Sequence, residues 1–249
     1  MINYVINLKR RLDRWTYFIE NKKNTIFNNE IFIQFDAFDG FDHINEIKRF
    51  NLENNPLILF LQKNKIIVNK GVLGCYLSHL IILKSIMENI DINDDEYIGI
   101  YEDDIFYCSD FDNKYEQFKN INLNELNIEF LYLGGRFKPN FSYNHNDDMF
   151  IKTSNKNIFF RNKCLKNIMW DRGTYSYIIK KKICSKLYDL LINIPIKNNK
   201  LDAIDSVYNL LNKNIKMFDY FPHLFYSPVN YKSDIQGIYK NDNIYISMD

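Results

Sequence analysis

The sequence predicts an α/β domain built on a mostly parallel, Rossmann-like central sheet flanked by helices. Three observations predict it. Short apolar segments alternate along the chain with longer charged or amphipathic ones, the order that lays helices over the faces of a parallel sheet. One such segment, Tyr97 to Tyr101, is almost wholly apolar, as a central strand covered on both faces must be. Polar groups then follow three of these segments directly, at Asn7-Leu8, at Glu102 to Asp104 and at Gly134 to Arg136. Sheets of this class collect ligands beyond the carboxyl ends of their strands. Only 8 Gly and 5 Pro punctuate the 249 residues and no Gly/Ser/Pro-rich linker occurs, so 1–249 reads as one domain, long enough to bury its own core.

The elements follow in order. Ile2 to Leu8 is a buried strand, and Lys9 to Asn21 a charged helix with Leu12, Trp15 and Phe18 on one face. Ile31 to Ala37 is a second strand, closed by the turn Phe38-Asp39-Gly40. After a polar stretch, Gly71 to Gly74 opens a long amphipathic helix reaching about Ile90. A turn over Asp91 to Glu96 leads into the strand Tyr97 to Tyr101. Phe130 to Leu133 is another buried strand, ended by Gly134 and Gly135. Lys138 to Lys163 is polar and Asn-rich, an irregular excursion. Gly173 to Ile179 is a strand that runs into a Lys-rich helix, and Asp202 to Leu211 is a helix. From Tyr220 onward, Pro222 and Pro228 argue for an extended path.

Composition excludes several classes. Lys plus Arg total 32 and Asp plus Glu 31, a net charge of +1, so no electrostatic ground exists for a nucleic-acid or anionic-membrane partner. Any phosphate must be handled at one local site. Aromatics reach 16%, but Ile, Asn and Lys are over-used beside Phe and Tyr, the signature of codon bias rather than of sugar stacking. Cys75, Cys108, Cys164 and Cys184 form no CxxC pair and no zinc-finger spacing, which leaves four reduced thiols. The N-terminus lacks the order of a secretory leader, and no uninterrupted apolar run approaches the ~20 residues of a membrane span. A cytoplasmic protein is expected. The oligomeric state is open, a homodimer included.

The acidic cluster Glu102-Asp103-Asp104 carries the clearest chemistry. Three carboxylates after a buried strand repel one another and are costly unless a cation neutralises them. Their oxygens suit hard ions such as Mg²⁺ or Mn²⁺. An ion so held keeps positions open for a diphosphate and stabilises the charge on a leaving nucleoside diphosphate. The competing reading is a solvated acidic turn. In Gly71 to His79, the glycines Gly71 and Gly74 allow close backbone approach, and the helix start offers N–H groups to an anion. Cys75, Ser78 and His79 share one helix face, but adjacent Ser78 and His79 diverge by about 100°, which argues against a nucleophile–base pair. A buried His79 bonded to a backbone carbonyl is the plainer alternative. Asn7 lies at a strand end and Arg14 on the next helix, within reach of a phosphate or of an ordinary salt bridge. An inverting sugar transfer also needs a carboxylate base. Asp171 and Asp205 are the candidates, each with a helix cap or salt bridge as the competing role.

Together these fragments resemble glycosyltransferase family 25, which includes bacterial lipooligosaccharide galactosyltransferases and collagen hydroxylysine galactosyltransferases. The matching pieces are Tyr4 to Arg10 with Asp13-Arg14, Ala37 to Gly40, Gly71 to His79, Tyr101 to Asp104, Leu133 to Gly135, Gly173 to Lys180, Asp205, and Ser233 to Ile235. The resemblance implies a GT-A fold, a UDP-sugar donor carrying galactose or glucose, Mn²⁺ (or Mg²⁺), and inversion at the anomeric carbon. It implies an acceptor hydroxyl on a glycan or a hydroxylated protein. Asp104, then Glu102, match the metal-binding acids, with Asp103 beside the nucleotide, and His223 is a further metal candidate by analogy. Asn7, Leu8 and Arg14 match the segment near the nucleotide, and Gly74, Ser78, His79 and Gly135 belong to the donor-site architecture. The Asn-rich stretch 140–157 has no counterpart in the family and leaves the acceptor open. Two other classes compete: a Mg²⁺-dependent nucleotidyltransferase, which lacks here a P-loop or basic clamp, and a non-catalytic glycan- or protein-binding module, which would not need an intact acidic cluster.

Overall fold

Apolar runs that can bury both faces become the middle of the sheet, and that fixes the architecture. The computed structural model describes residues 1–136, 150–161, 174–211, 214–227 and 243–246. In chain order the elements are β1 (Ile2–Asn7), α1 (Leu12–Lys23), β2 (Phe32–Asp36), α2 (His43–Arg49), α3 (Pro56–Lys63), β3 (Ile67–Asn69) and α4 (Lys70–Glu88). There follow β4 (Tyr97–Glu102), β5 (Phe106–Tyr107), α5 (Phe111–Lys119), β6 (Phe130–Tyr132), β7 (Gly134–Arg136), β8 (Phe150–Lys152) and β9 (Ile158–Arg161). The last are β10 (Ser176–Lys180), α6 (Cys184–Asn198), α7 (Ile204–Leu210), β11 (Met217–Tyr220), β12 (Phe225–Ser227) and β13 (Asn243–Tyr245).

The main sheet has the order β2-β1-β4-β10-β6-β11-β9-β8. Successive side chains of a strand point to opposite faces, and the two cores divide accordingly. Tyr4, Ile6, Ile98, Ile100, Phe130, Tyr132, Tyr177 and Ile179 join the core formed with α4 and α6. Val5, Tyr101, Leu131 and Ile178 join the second, aromatic core with Phe18, Phe27, Phe111 and Tyr115. Each fully buried Leu, Ile or Phe contributes roughly 1.5–3 kcal/mol relative to exposure, so a polar replacement of Ile100 or Ile178 would be expensive.

The sheet is mixed: six of its eight strands run one way, and β10 and β9 run against them. The pairs β1–β2, β1–β4 and β6–β11 are parallel, whereas β4–β10, β10–β6, β11–β9 and β9–β8 are antiparallel. The antiparallel insertion of β10 has a consequence for the site: its amino end, not its carboxyl end, lies beside the end of β4. The backbone N–H of Glu102 accordingly donates to Tyr175 O at 2.9 Å.

One further expectation is corrected. Leu12 is 66% exposed while Phe18 of the same helix is buried, so the inner face of α1 is narrower than its sequence suggests. Helix α4 passes the length and composition of a membrane span, but 67% of that stretch is buried inside the domain. It is the central core helix, with Leu73, Leu77, Leu80, Ile82 and Leu83 wholly enclosed.

Candidate active site

The parallel register of β1 and β4, with Ile6 opposite Glu102, sets the ends of these two strands side by side. Asn7 and the acidic cluster therefore meet although 96 residues separate Asn7 from Asp103. The Asn7 amide donates to Asp103 Oδ2 at 2.5 Å and to the carbonyl of Arg11 at 3.2 Å, and its own oxygen accepts from Gln34 Nε2 at 2.8 Å. Arg14, on the first turns of α1, reaches Asp103 at 3.2 Å and Asp104 at 3.4 Å, with all three side chains nearly buried. The cluster is thus an ion-paired group in a partly desolvated position, not a solvated acidic turn.

Its third member has different partners. Glu102 Oε1 accepts from the Thr174 hydroxyl at 2.7 Å and lies 3.4 Å from His79 Nε2. His79, wholly buried, places Nδ1 2.8 Å from the Tyr177 hydroxyl, which in turn contacts the Tyr208 hydroxyl at 3.2 Å. The partners of His79 are therefore a carboxylate and a phenol rather than a backbone carbonyl. Both come from strands distant in sequence.

Ser78 has a structural task. Its hydroxyl donates to Gly74 O at 2.7 Å and accepts the Phe38 N–H at 2.9 Å, fastening the segment after β2 to α4. Close approach is what the glycines permit: a Cβ on Gly40 would run into the carbonyl oxygen of Lys70, and one on Gly74 would meet Gly40 N and Phe38 O at 3.0 Å. The start of α4 does not offer its first N–H groups to an anion. Asn69 Oδ1 accepts those of Gly71 and Val72, at 2.9 and 3.2 Å, as an N-cap residue should.

A cleft of about 630 Å³, open to solvent, runs between these parts. Its lining includes Leu8, Arg14, Gly74, Ser78, His79, Glu102, Asp103 and Asp104, so most residues singled out in the sequence share one wall. Asn7 lies behind that wall. Sequence reasoning missed Arg10, Phe41 and Lys70 at the cleft, where both cations lie over the Phe41 ring, 5.4 and 5.5 Å from its centre. It also missed Thr174 and Tyr177 as partners. Gly135 is not in the lining; it pairs with Tyr226 between β7 and β12. His223 is buried beside Phe221 and Tyr226, also outside the lining. Asp205 opens α7, accepts the Ser206 N–H at 2.8 Å, and its charge reaches Cys75. Asp171 and the stretch 140–149 lie outside the described residues, as does Cys164.

The electrostatics are those of a site short of positive charge. Burial, then the negative charge of Glu102, pushes Asp104 up to about 7, against the pull of Arg14. Burial also raises Asp103, opposed by Arg14 and Asn7. Glu102 goes the other way: burial would raise it, but the hydrogen bond and charge of His79, with help from Thr174 and Arg14, hold it below the ordinary carboxylate range. Asp104 Oδ1 is buried and has no hydrogen-bond partner among the described residues. A buried, unpaired carboxylate oxygen beside two further acids fits a hard divalent cation. Cys75 completes the inner wall: its Sγ, a ring nitrogen of His79 and a carboxylate oxygen of Glu102 lie within 4.8 Å of one another.

An α/β domain with these acids at the head of a cleft can hold a cation and a ligand beyond its strand ends, and comparison with known families gives the class. The chain belongs to glycosyltransferase family 25, described as LPS biosynthesis proteins, whose model matches residues 1–238. No curated protein matches it. The family makes the protein a glycosyltransferase, acting between a donor sugar and an acceptor.

Proposed function

We propose that the protein is an inverting, metal-dependent hexosyltransferase of GT-A fold, moving galactose or glucose from a UDP-sugar to an acceptor hydroxyl. The observation that carries this reading is the buried, unpartnered oxygen of Asp104 at the head of the cleft, between Arg14 and Glu102. Asp104 with Glu102 would hold Mn²⁺ or Mg²⁺; bound there, the ion supplies Lewis-acid stabilisation to the departing diphosphate.

The chain's own residues supply the rest. Asp103, fixed by Asn7 and Arg14, keeps the end of β4 in register with the end of β1. Lys70, at the cleft, and Arg10, ion-paired there with Asp39, put cations on the diphosphate side, where fixed positive groups stabilise charge developing in the transition state. Leu8 and Phe38 give the nucleotide an apolar wall. Asp205, whose charge acts on Cys75 of the cleft wall, is the first candidate for the base, with Asp171 the second. The base takes the proton of the acceptor hydroxyl as its oxygen attacks the anomeric carbon from the face opposite UDP. Since the family is described by LPS biosynthesis, a glycan hydroxyl is favoured over a hydroxylated protein as acceptor.

The test is UDP release from UDP-galactose and UDP-glucose with and without Mn²⁺. We expect release that needs the ion and falls at least ~100-fold in Asp104→Ala, the range seen when one transition-state charge stabiliser is removed. Undiminished turnover in that variant would remove the assignment of the ion to this cluster.

A further inference from the structure

Beside Glu102 stand a thiol and an imidazole, those of Cys75 and His79, that the hexosyl-transfer reading does not use. Cys75 and His79 stand i and i+4 on α4, so their side chains meet on one helix face. Glu102 enters from the end of β4, and the three donor atoms lie within 4.8 Å of one another. His79 Nε2 and Glu102 Oε1 are already 3.4 Å apart, close to the separation of two ligands about 2.0–2.2 Å from one tetrahedral ion. The imidazole is held from behind, since Nδ1 contacts the Tyr177 hydroxyl at 2.8 Å. That is the outer contact that orients a metal-bound histidine and leaves Nε2 to face the ion. The Thr174 hydroxyl holds the carboxylate in the same way, at 2.7 Å. All three residues line the cleft, where Cys75 and Glu102 are partly exposed and the His79 ring is enclosed behind them.

One thiol, one imidazole and one carboxylate are not a set for Mg²⁺ or Mn²⁺. Sulfur and nitrogen donors select borderline ions, Zn²⁺ above all, while hard ions prefer oxygen alone. We propose that Cys75, His79 and Glu102 form a Zn²⁺ site in the wall of the cleft, the thiol giving up its proton on binding and the fourth position open to water. Three protein ligands with an open position is a common arrangement for accessible zinc. Because Glu102 belongs to both groups, Zn²⁺ here competes with the hard ion for that carboxylate and inhibits transfer. This consequence, unlike the site itself, rests on the transferase reading.

The experiment uses the whole protein stripped of metal, titrated with Zn²⁺ against a chromophoric chelator and separately with Co²⁺ as a spectroscopic probe. Expected are one Zn²⁺ per chain and a near-ultraviolet sulfur-to-cobalt charge-transfer band with the visible bands of a tetrahedral ion. In Cys75→Ser the charge-transfer band disappears and Zn²⁺ binds at least ~10-fold more weakly, since a direct ligand is worth no less than an outer partner; His79→Gln weakens it similarly. Far-ultraviolet circular dichroism establishes that each variant is folded, and Cys108→Ala serves as a thiol control that retains the band. Absence of 1:1 Zn²⁺ uptake, or a band and affinity unchanged in Cys75→Ser, overturns the site. Mn²⁺-dependent UDP release measured without Zn²⁺ is scored separately. A missing band with intact UDP release removes only the zinc site, and a band without UDP release removes only the transferase assignment.

Discussion

The side-chain amide of Asn7 donates to Asp103 Oδ2 at 2.5 Å, joining the ends of β1 and β4 inside the domain. The bond is charge-assisted and shielded from water, so it belongs to the stronger kind. Asn7→Ala leaves a buried carboxylate with one donor fewer. We expect a loss of about 1.5–3 kcal/mol in urea unfolding and a fall in UDP release as the acidic turn loosens. Asn7→Asp, which sets two acids face to face, is expected to be worse than alanine. Equal stability of wild type and Asn7→Ala would show that Arg14 alone fixes Asp103.

Gly40 and Gly74 test the contact between the segment after β2 and α4. A Cβ at position 40 collides with the Lys70 carbonyl, whereas one at 74 meets two backbone atoms at 3.0 Å. Alanine also favours the helix over glycine by roughly 0.5–1 kcal/mol, which offsets part of the strain at 74 but none at 40. Gly40→Ala should therefore destabilise by more than Gly74→Ala, the first by at least about 2 kcal/mol, in the range of overpacking. Thermal melts of the two variants, compared with wild type, decide the order.

These contacts also show what the sequence could and could not tell. β1 and β4 are legible because their apolar runs have no other use than burial on two faces. α4 is legible because its apolar residues recur at helical spacing for 19 residues. The mixed direction of the sheet is not, since Ser176–Lys180 reads the same whichever way it runs between β4 and β6. α2 hides in a polar stretch because only Glu46 and Ile47 in it are buried. The acidic cluster was recognisable from local crowding of charge. Asn7 reads from the sequence as a strand end near the nucleotide and Arg14 as a phosphate contact or a salt bridge, without Asp103 as the shared partner. The bond from Thr174 to Glu102, 72 residues away, follows from strand order alone. The start of α4 departs from its sequence reading for a local reason: Asn69 caps it, and the cap occupies the Gly71 and Val72 N–H groups that an anion would otherwise take.

Asp104 gives the protein a pH dependence of definite sign. Its carboxyl is raised from 3.8 to about 7 by burial and by Glu102. The unfolded chain therefore releases this proton at lower pH than the folded protein does. The protonated form stabilises fully below about pH 4, and the contribution is lost as pH rises through about 7. Without divalent ions, wild type should lose on the order of 2–4 kcal/mol relative to Asp104→Asn between about pH 5 and 8, because asparagine mimics the neutral acid at every pH. Added Mn²⁺ should restore the loss at the upper end, by mass action on the folded state. A difference between the two proteins that stays flat across this range would mean that Arg14 already neutralises Asp104.

Arg14 is the protein's own cation for the same carboxylates, 3.2 Å from Asp103 and 3.4 Å from Asp104. Removing one partner of a buried ion pair strands the other charge, typically at a cost of 3–5 kcal/mol, so Arg14→Met should be strongly destabilised in the absence of metal. Arg14→Lys should recover only part of this: one nitrogen, Nη1, contacts both acids, and a compact, strongly hydrated ammonium on a flexible stem is held there less well than the planar guanidinium. The deficit of positive charge then falls on the ion. Mn²⁺ should raise the melting temperature of Arg14→Met by more than that of wild type, while Asp104→Asn combined with Arg14→Met should lose most of this extra response. Equal Mn²⁺ shifts in wild type and Arg14→Met would mean that the guanidinium and the ion do not share a carboxylate, and would move the ion away from the end of β4.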